Sequence, residues 1–365
     1  MKKFPLILSL ILIISLLTGC AGTPVVYYTN CTCPADTHVE TAEPAPTTVP
    51  EVEAPVLTEG ALKTGLAIST SLKKSAAATA DAAGKADYDV TMVAVLVDDN
   101  GVIQDCIIDG IASSVAFDAT GAITTDLTVA PQTKNELGEN YNMVKYGGAI
   151  AEWDAQAAAL ASFAVGKTVE ELKTGAVSES GYAPEGSDLA TQATIYLGGY
   201  VYAIETAVNN AAHLGAQSGD TLKLATNIKI DSSAAATAEA AGNAQLDADV
   251  VALTMNGETI TSCVLDSVQA KVAFDATGAI TSDVTAPVAT KNELGANYGM
   301  VAWGGAIAEW NEQAASFAAY VTGKTAAEVA GISITEATKP ADADLAASVT
   351  ISVIGFMNLI AKAAQ

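Results

Sequence analysis

The chain repeats itself, and the repeat is long. Residues 115–153 match residues 272–310 at a constant offset of 157, with 29 of 39 positions identical. Both copies carry Val-Ala-Phe-Asp-Ala-Thr-Gly-Ala-Ile-Thr, then Thr-Lys-Asn-Glu-Leu-Gly, then Gly-Gly-Ala-Ile-Ala-Glu-Trp. The match extends to residues 75–79 against 233–237, both Ser-Ala-Ala-Ala-Thr, and into the C-terminal segments, where the offset falls to 156. A unit of about 150 residues is long enough to bury a core of its own. The period therefore predicts two tandem domains, residues 61–214 and 219–365, and not a solenoid of short units.

Within one copy the hydrophobic period changes in a readable order. Residues 89–97 and 102–108 are rich in Val and Ile and are separated by Asp98, Asp99, Asn100 and Gly101, the pattern of a hairpin with a tight turn. A further strand is expected at 115–118, before the turn Ala-Thr-Gly. From Gly147 the pattern becomes helical, with Ile150, Trp153, Ala157, Leu160 and Phe163 or Ala164 on one face. Trp153 and its counterpart Trp310 read as core residues. A short helix is expected at 169–172, and an alanine-rich closing helix at 189–211, matched by 345–364 in the second copy. The expected fold class is α+β, two tandem copies of an antiparallel sheet with helices packed on one face.

The N-terminus carries a different signal. Lys2 and Lys3 precede an apolar run at 4–17, and Leu17, Thr18, Gly19 and Cys20 form a lipobox. The run is shorter than the roughly 20 residues of a bilayer span, so residues 1–20 read as a lipoprotein signal peptide. The Cys20 thiol is expected to carry a diacylglyceryl group, whose two acyl chains hold a protein durably at a membrane. This places the chain on the outer face of the cell membrane, lipid-anchored, in a Gram-positive-type cell; an ordinary signal peptide cleaved near Ala21 is the alternative. Residues 21–60, rich in Pro, Thr, Glu and Ala without an apolar period, read as a solvated, disordered stalk.

Charge and composition exclude several functions. Without the signal peptide, 15 Lys face 41 Asp and Glu, a net of −26, and nucleic acid is not an expected partner. The chain has no Arg, so a bound phosphate must be held by Lys, hydroxyls, backbone N–H groups or a covalent bond. With no Cys-x-x-Cys-His and with only His38 and His213, multihaem binding, a His-based zinc site and a Ser-His-Asp site are excluded. Cys31 and Cys33 could form a local disulfide, pair between molecules or stay free. Cys106 and Cys263, at equivalent places inside apolar strand patterns, read as small buried side chains.

The closing segment of each copy opens with an aligned run, Asp188-Leu-Ala-Thr191-Gln-Ala-Thr194 and Asp344-Leu-Ala-Ala347-Ser-Val-Thr350. Asp and Thr also suit a helix start, the Asp as an N-cap. The pattern Asp-x-x-Ser/Thr-x-Ala-Thr resembles the flavinylation motif of FMN-binding domains, and the lipobox, stalk and tandem copies together resemble the extracellular electron-transfer flavoproteins. The resemblance covers nearly all residues beyond the stalk. It implies FMN joined by a phosphoester to Thr194 and Thr350, with Asp188, Asp344 and Thr191 as the other motif residues and with one or two flavins per chain. It also implies a flavin transferase as partner, a membrane quinone-linked NADH dehydrogenase system as electron donor and extracellular acceptors such as ferric iron. The motif departs from the family pattern at Gln192 and Ser348, where Gly is usual, and at Ala347 and Val349. A phosphodiester in the first turn of a helix would meet unpaired N–H groups without any Arg.

A second repeated segment suits an anionic planar cofactor: Lys134, Tyr141, Met143, Tyr146, Gly147 and Gly148 in one copy, Lys291, Tyr298, Met300, Trp303, Gly304 and Gly305 in the other. Lys supplies charge, the aromatics a face to stack on, and the glycines room. Recent duplication would preserve the same residues for no such reason. Gly166-Lys-Thr168 and Gly323-Lys-Thr325 lack the first glycine of a phosphate-binding loop, so no nucleotide site is expected. The expected function is a surface electron carrier with no catalytic residues of its own and no metal. The alternatives are a cofactor-free binding or adhesion lipoprotein and an extracellular reductase with its own substrate. The resemblance also implies that the cleaved signal peptide can be processed to a peptide pheromone.

Overall fold

The structure is a computed structural model and describes residues 60–365. Cys20, Cys31, Cys33, the signal peptide and the stalk lie outside the described residues. The first copy begins with three antiparallel strands, β1 (Lys63–Ser71), β2 (Gly84–Val97) and β3 (Ile103–Phe117), in the order β1-β2-β3. The second repeats them as β4 (Thr221–Lys229), β5 (Gly242–Asn256) and β6 (Thr259–Phe274). Helices of the first copy are α1 (Lys134–Leu137), α2 (Met143–Gly147), α3 (Trp153–Ala164), α4 (Val169–Ala176) and α5 (Gly198–Asn209). Those of the second are α6 (Lys291–Leu294), α7 (Met300–Gly304), α8 (Trp310–Val321), α9 (Ala326–Ala330), α10 (Ala343–Ala346) and α11 (Ile354–Ala363). The architecture is mixed, with antiparallel sheets and helices, compatible with α+β.

The alternation of side chains along β2 explains the layering. Tyr88, Val90, Met92, Ala94 and Leu96 enter a core shared with Leu246, Ala248, Val250 and Ala252 of β5, so the two sheets pack face to face. Val93, Val95 and Val97 point the other way, into a core with Trp153, Leu160, Leu197 and Ile204 from the helices of the first copy. Val251, Leu253 and Met255 do the same against Trp310, Phe317, Phe356 and Ile360. Helices thus cover the outer face of each sheet, and the inner faces share one core within a single compact unit.

The contacts between the copies are reciprocal. The Ala78 N–H donates to Gly278 O at 2.8 Å, and its counterpart Ala236 N–H donates to Gly121 O at 2.9 Å. Such exchange is the signature of a two-fold, self-complementary interface. Gly121 and Gly278 both have positive φ and sit so close to the opposite copy that a Cβ would lie under 3 Å from its backbone. The strongly repeated Phe-Asp-Ala-Thr-Gly motif is therefore the seam between the copies.

Four expected elements differ. Residues 115–118 are the end of β3 and not a separate strand; Gly110, Ser113 and Ser114 interrupt the apolar pattern but not the ladder to β2. The first helix of the Trp153 region starts at Trp153, and Ile150 stays exposed before it. The closing helix is broken. Leu189–Thr191 form one turn of 3₁₀ helix and α5 starts only at Gly198; in the second copy α10 ends at Ala346 and α11 starts at Ile354. The short helix expected at 169–172 continues to Ala176 as α4.

Candidate functional site

Thr194 and Thr350 lie in these breaks, not in a first helical turn, and a buried glutamine fixes each. Gln156 of α3 is fully buried, and its Oε1 accepts the Thr194 N–H at 2.8 Å, the Ile195 N–H at 3.2 Å and the Thr194 hydroxyl at 3.3 Å. Its Nε2 donates to Ala151 O at 2.7 Å. Gln313 of α8 is likewise fully buried and accepts the Thr350 N–H at 2.7 Å and hydroxyl at 3.1 Å while donating to Ala308 O at 2.8 Å. Both glutamines occur three residues after the helix-opening tryptophan, on a face otherwise made of Trp, Ala, Leu, Phe and Val. A polar amide kept on a buried face in both copies was the available signal, and the sequence reading missed it.

Beside each threonine is a cleft. The first, about 480 Å³, is lined by Ser69, Asp89, Lys134, Tyr141, Trp153 and Tyr200 among others, and also by Met143, Ile195 and Gly199. The second, about 680 Å³, is lined by the counterparts Lys291, Trp310, Ile351, Gly355 and Phe356, together with Lys229, Asp249 and Lys362. Ile195 and Ile351 are the residues next to Thr194 and Thr350. Each cleft opens where the helical cover of the outer sheet face stops and polar strand residues take over.

The floor of each cleft is a lysine over aromatic rings. Lys134 Nζ is 4.7 Å from the Trp153 ring centroid and 5.7 Å from that of Tyr141. Lys291 Nζ is 4.7 Å from Trp310 and 5.4 Å from Tyr298. Burial pushes both ammonium groups below the usual lysine range, opposed in the first cleft by Asp89 and in the second by Asp249 and Asp247. An ammonium on a ring face gains cation–π attraction where water is scarce. The one-turn helices α1 and α6 aim these lysines. Thr133 with Glu136, and Thr290 with Glu293, form reciprocal capping boxes, and the Asn135 and Asn292 N–H groups donate to Asp109 and Asp266 at 3.1 and 3.0 Å.

Gly199 and Gly355 lie in the first turns of α5 and α11, on the cleft walls. First-turn N–H groups have no acceptor inside their helix, and a Cβ at Gly199 would meet nothing within 4 Å. A phosphate on Thr194 or Thr350 would thus meet the helix that begins four residues later. Gly181 O already accepts the Leu197 and Gly198 N–H groups at 2.8 and 3.0 Å, which leaves the later first-turn N–H groups of α5 for a phosphate. Hydroxyl, partly open helix N-terminus, buried ammonium and aromatic walls fit a phosphate-bearing planar ring.

No family model matches the chain, and comparison with curated proteins and with solved structures found no similar protein.

The other sequence-predicted residues separate. Asp188 is exposed and makes no side-chain cap bond, while Thr191 donates its hydroxyl to Asp188 O at 2.7 Å; neither lines the first cleft. Asp344 lies inside α10, whose N-cap is Asp342. Tyr298, beneath Lys291, and Met300 pack against the helical core of the second copy without lining its cleft, and Tyr298 donates to Gln269 Oε1 at 3.2 Å. Tyr146 and Trp303 are 76% and 90% exposed at the tips of α2 and α7, which are pinned at the other end: Glu152 accepts from the Met143 and Val144 N–H groups, Glu309 from those of Met300 and Val301. Cys106 and Cys263 are buried free thiols, and burial pushes Cys263 up to about 12. Thr168 and Thr325 cap α4 and α9, which gives the Gly-Lys-Thr triplets a structural role. Among the described residues no cluster of three metal-ligating side chains occurs, and no helix is long and apolar enough to cross a membrane.

Proposed function

We propose that this chain is a surface lipoprotein electron carrier with FMN joined through its phosphate to Thr194 and Thr350. A flavin transferase attaches the cofactor; a membrane quinone-linked NADH dehydrogenase system supplies electrons, and extracellular acceptors such as ferric iron receive them. The observation that carries this reading is the duplicated Thr–Gln pair beside a duplicated Lys–Trp cleft. A fully buried glutamine accepts both the amide and the hydroxyl of each threonine, and the next residue, Ile195 or Ile351, lines the cleft. The motif resemblance gives the same two threonines independently.

Bound flavin supplies the reversible acceptance of electrons, and the protein holds and tunes it. Lys134 and Lys291 offer positive charge to the ring or its phosphate, Trp153 and Trp310 support those lysines, and the N-termini of α5 and α11 offer N–H groups to the phosphate. Covalent attachment keeps the cofactor outside the cell, where a dissociable one would be diluted away. Cys20, as lipid anchor, keeps the carrier beside its membrane donor.

Cells whose only copy of this protein is the Thr194→Ala/Thr350→Ala chain test the reading. Loss of ferric iron reduction at the cell surface, with the protein present at its normal level, is the expected result; reduction at the wild-type rate contradicts it. A cofactor-free binding lipoprotein is the second reading, favoured by the exposed Tyr146, Trp303, Ile150 and Ile307. Under that reading the threonine variant loses nothing.

A further inference from the structure

The two-fold relation between the copies creates two equivalent grooves, each between the first strand of one copy and the first one-turn helix of the other. One lies between β4 and α1 and is filled by Lys362 of α11. Its Nζ pairs with Glu136 Oε1 and donates to Thr226 O at 2.6 Å. Glu136 Oε2 accepts the Thr133 N–H at 2.9 Å, so the ammonium takes the oxygen that the capping box leaves over.

The other groove, between β1 and α6, repeats the acceptors without the lysine. Glu293 Oε2 accepts the Thr290 N–H at 2.8 Å. Asp266 holds the N–H of Asn292, the residue before Glu293, as Asp109 holds that of Asn135 before Glu136. Ile68 takes the place of Thr226, since it faces Met92 in the ladder as Thr226 faces Val250, the counterpart of Met92. Thr206 stands where α11 has Lys362, at the offset of 156, and its hydroxyl turns back to Tyr202 O at 3.0 Å. Among the described residues neither Glu293 nor Asp266 forms an ion pair. A cavity of about 320 Å³ results, lined by Leu66, Ala67, Ile68, Asn210, Asp266 and Glu293 among others.

We propose that this groove takes a lysine side chain of a partner protein. The equivalent residues of the repeat already hold an ammonium between a glutamate and a strand carbonyl, which identifies the chemistry that fits. The excess of 41 Asp and Glu over 17 Lys draws a basic partner toward the surface. A single exposed ion pair is weak, so the contact forms and releases readily. Ser69, next to Ile68 on β1, lines the first cleft, so the partner docks beside that cleft. That the docked protein exchanges electrons there rests on the flavin reading above; the lysine site does not.

Amide NMR of the full chain, titrated with Nα-acetyl-lysine methylamide, tests the site. Saturable shifts are expected at residues 66–68 and 290–294, with none from the norleucine analogue. Glu293→Gln keeps the capping bond without the charge and is expected to weaken binding about threefold, the scale of one exposed ion pair. Thr206→Lys gives the groove an ammonium of the chain's own and is expected to abolish binding, whereas Glu136→Gln leaves it unchanged. No saturable shift, the same shifts from the norleucine analogue, or binding that neither Glu293→Gln nor Thr206→Lys reduces overturns the inference. Tighter binding of n-butylamine than of the lysine derivative overturns the protein partner. None of these readings depends on attached flavin, so the inference can fail while the cofactor reading stands.

Discussion

Phe117 and Phe274 stack face to face, with ring centroids 4.0 Å apart and planes 3° from parallel. Each is fully buried, and each is the other's counterpart in the repeat, so the stack lies on the two-fold relation between the copies. Gly84 and Gly242 make room for them, since a Cβ on either would come within 2.4 or 2.5 Å of the nearby ring. The seam is thus built from a large ring and a missing side chain, used twice.

Truncating either ring empties a site that the opposite sheet cannot refill. Phe117→Ala and Phe274→Ala are each expected to destabilise by about 3–5 kcal/mol. Because the rings touch, the double variant should cost less than the sum of the singles. Urea unfolding of the three variants checks both points; strict additivity would contradict the shared stack.

Gln156→Ala removes the acceptor of two buried-edge N–H groups and the donor to Ala151 O. Leaving such groups unpaired costs about 1–3 kcal/mol, and the freed segment should let Thr194 lose its orientation. Peptide-level mass analysis is expected to show reduced flavin at Thr194 and undiminished flavin at Thr350, with Gln313→Ala giving the opposite pattern. Equal occupancy at both threonines in both variants would show that the glutamines serve stability alone.

Burial of Asp266 raises its pKa from 3.8 to about 6. The folded chain therefore holds this proton more tightly than the unfolded chain between about pH 4 and 6. The contribution of Asp266 to stability is greatest below that window, falls as pH rises through it, and its burial cost is fully present above pH 6. A rise from 3.8 to about 6 corresponds to about 3 kcal/mol. Asp266→Asn should thus gain stability relative to wild type as pH rises from 4 to 7. Unfolding free energies of the two proteins measured across that range check the sign, and parallel curves would contradict it.

Much of the fold was legible because its signals are local. The Asp-Asn-Gly turn between β2 and β3, the helical period from Trp153 and the repeat itself each depend on neighbouring residues. What was missed depends on distant ones. β1, with Leu66, Ala67 and Ile68 buried in succession, has no clean alternation because both of its faces are covered. The run 189–211 looks helical by composition, yet the Gln156 side chain takes the Thr194 and Ile195 N–H groups that a continuous helix would have used. Lys134 and Tyr141 were picked out by their repetition, and the structure brings them to one cleft with Trp153, read from the sequence as core alone. That Asp89 is left facing Lys134 while Gln269 holds Asp247 could not be read, since Ala112 and Gln269 meet these carboxylates only across a ladder.

The central claim is that two threonine hydroxyls carry the cofactor, and intact mass counts it directly. Full-length protein made with a flavin transferase should gain two FMN increments, one in Thr194→Ala, one in Thr350→Ala and none in the double variant. Flavin still attached to the double variant, or none on the wild-type chain, would contradict the account.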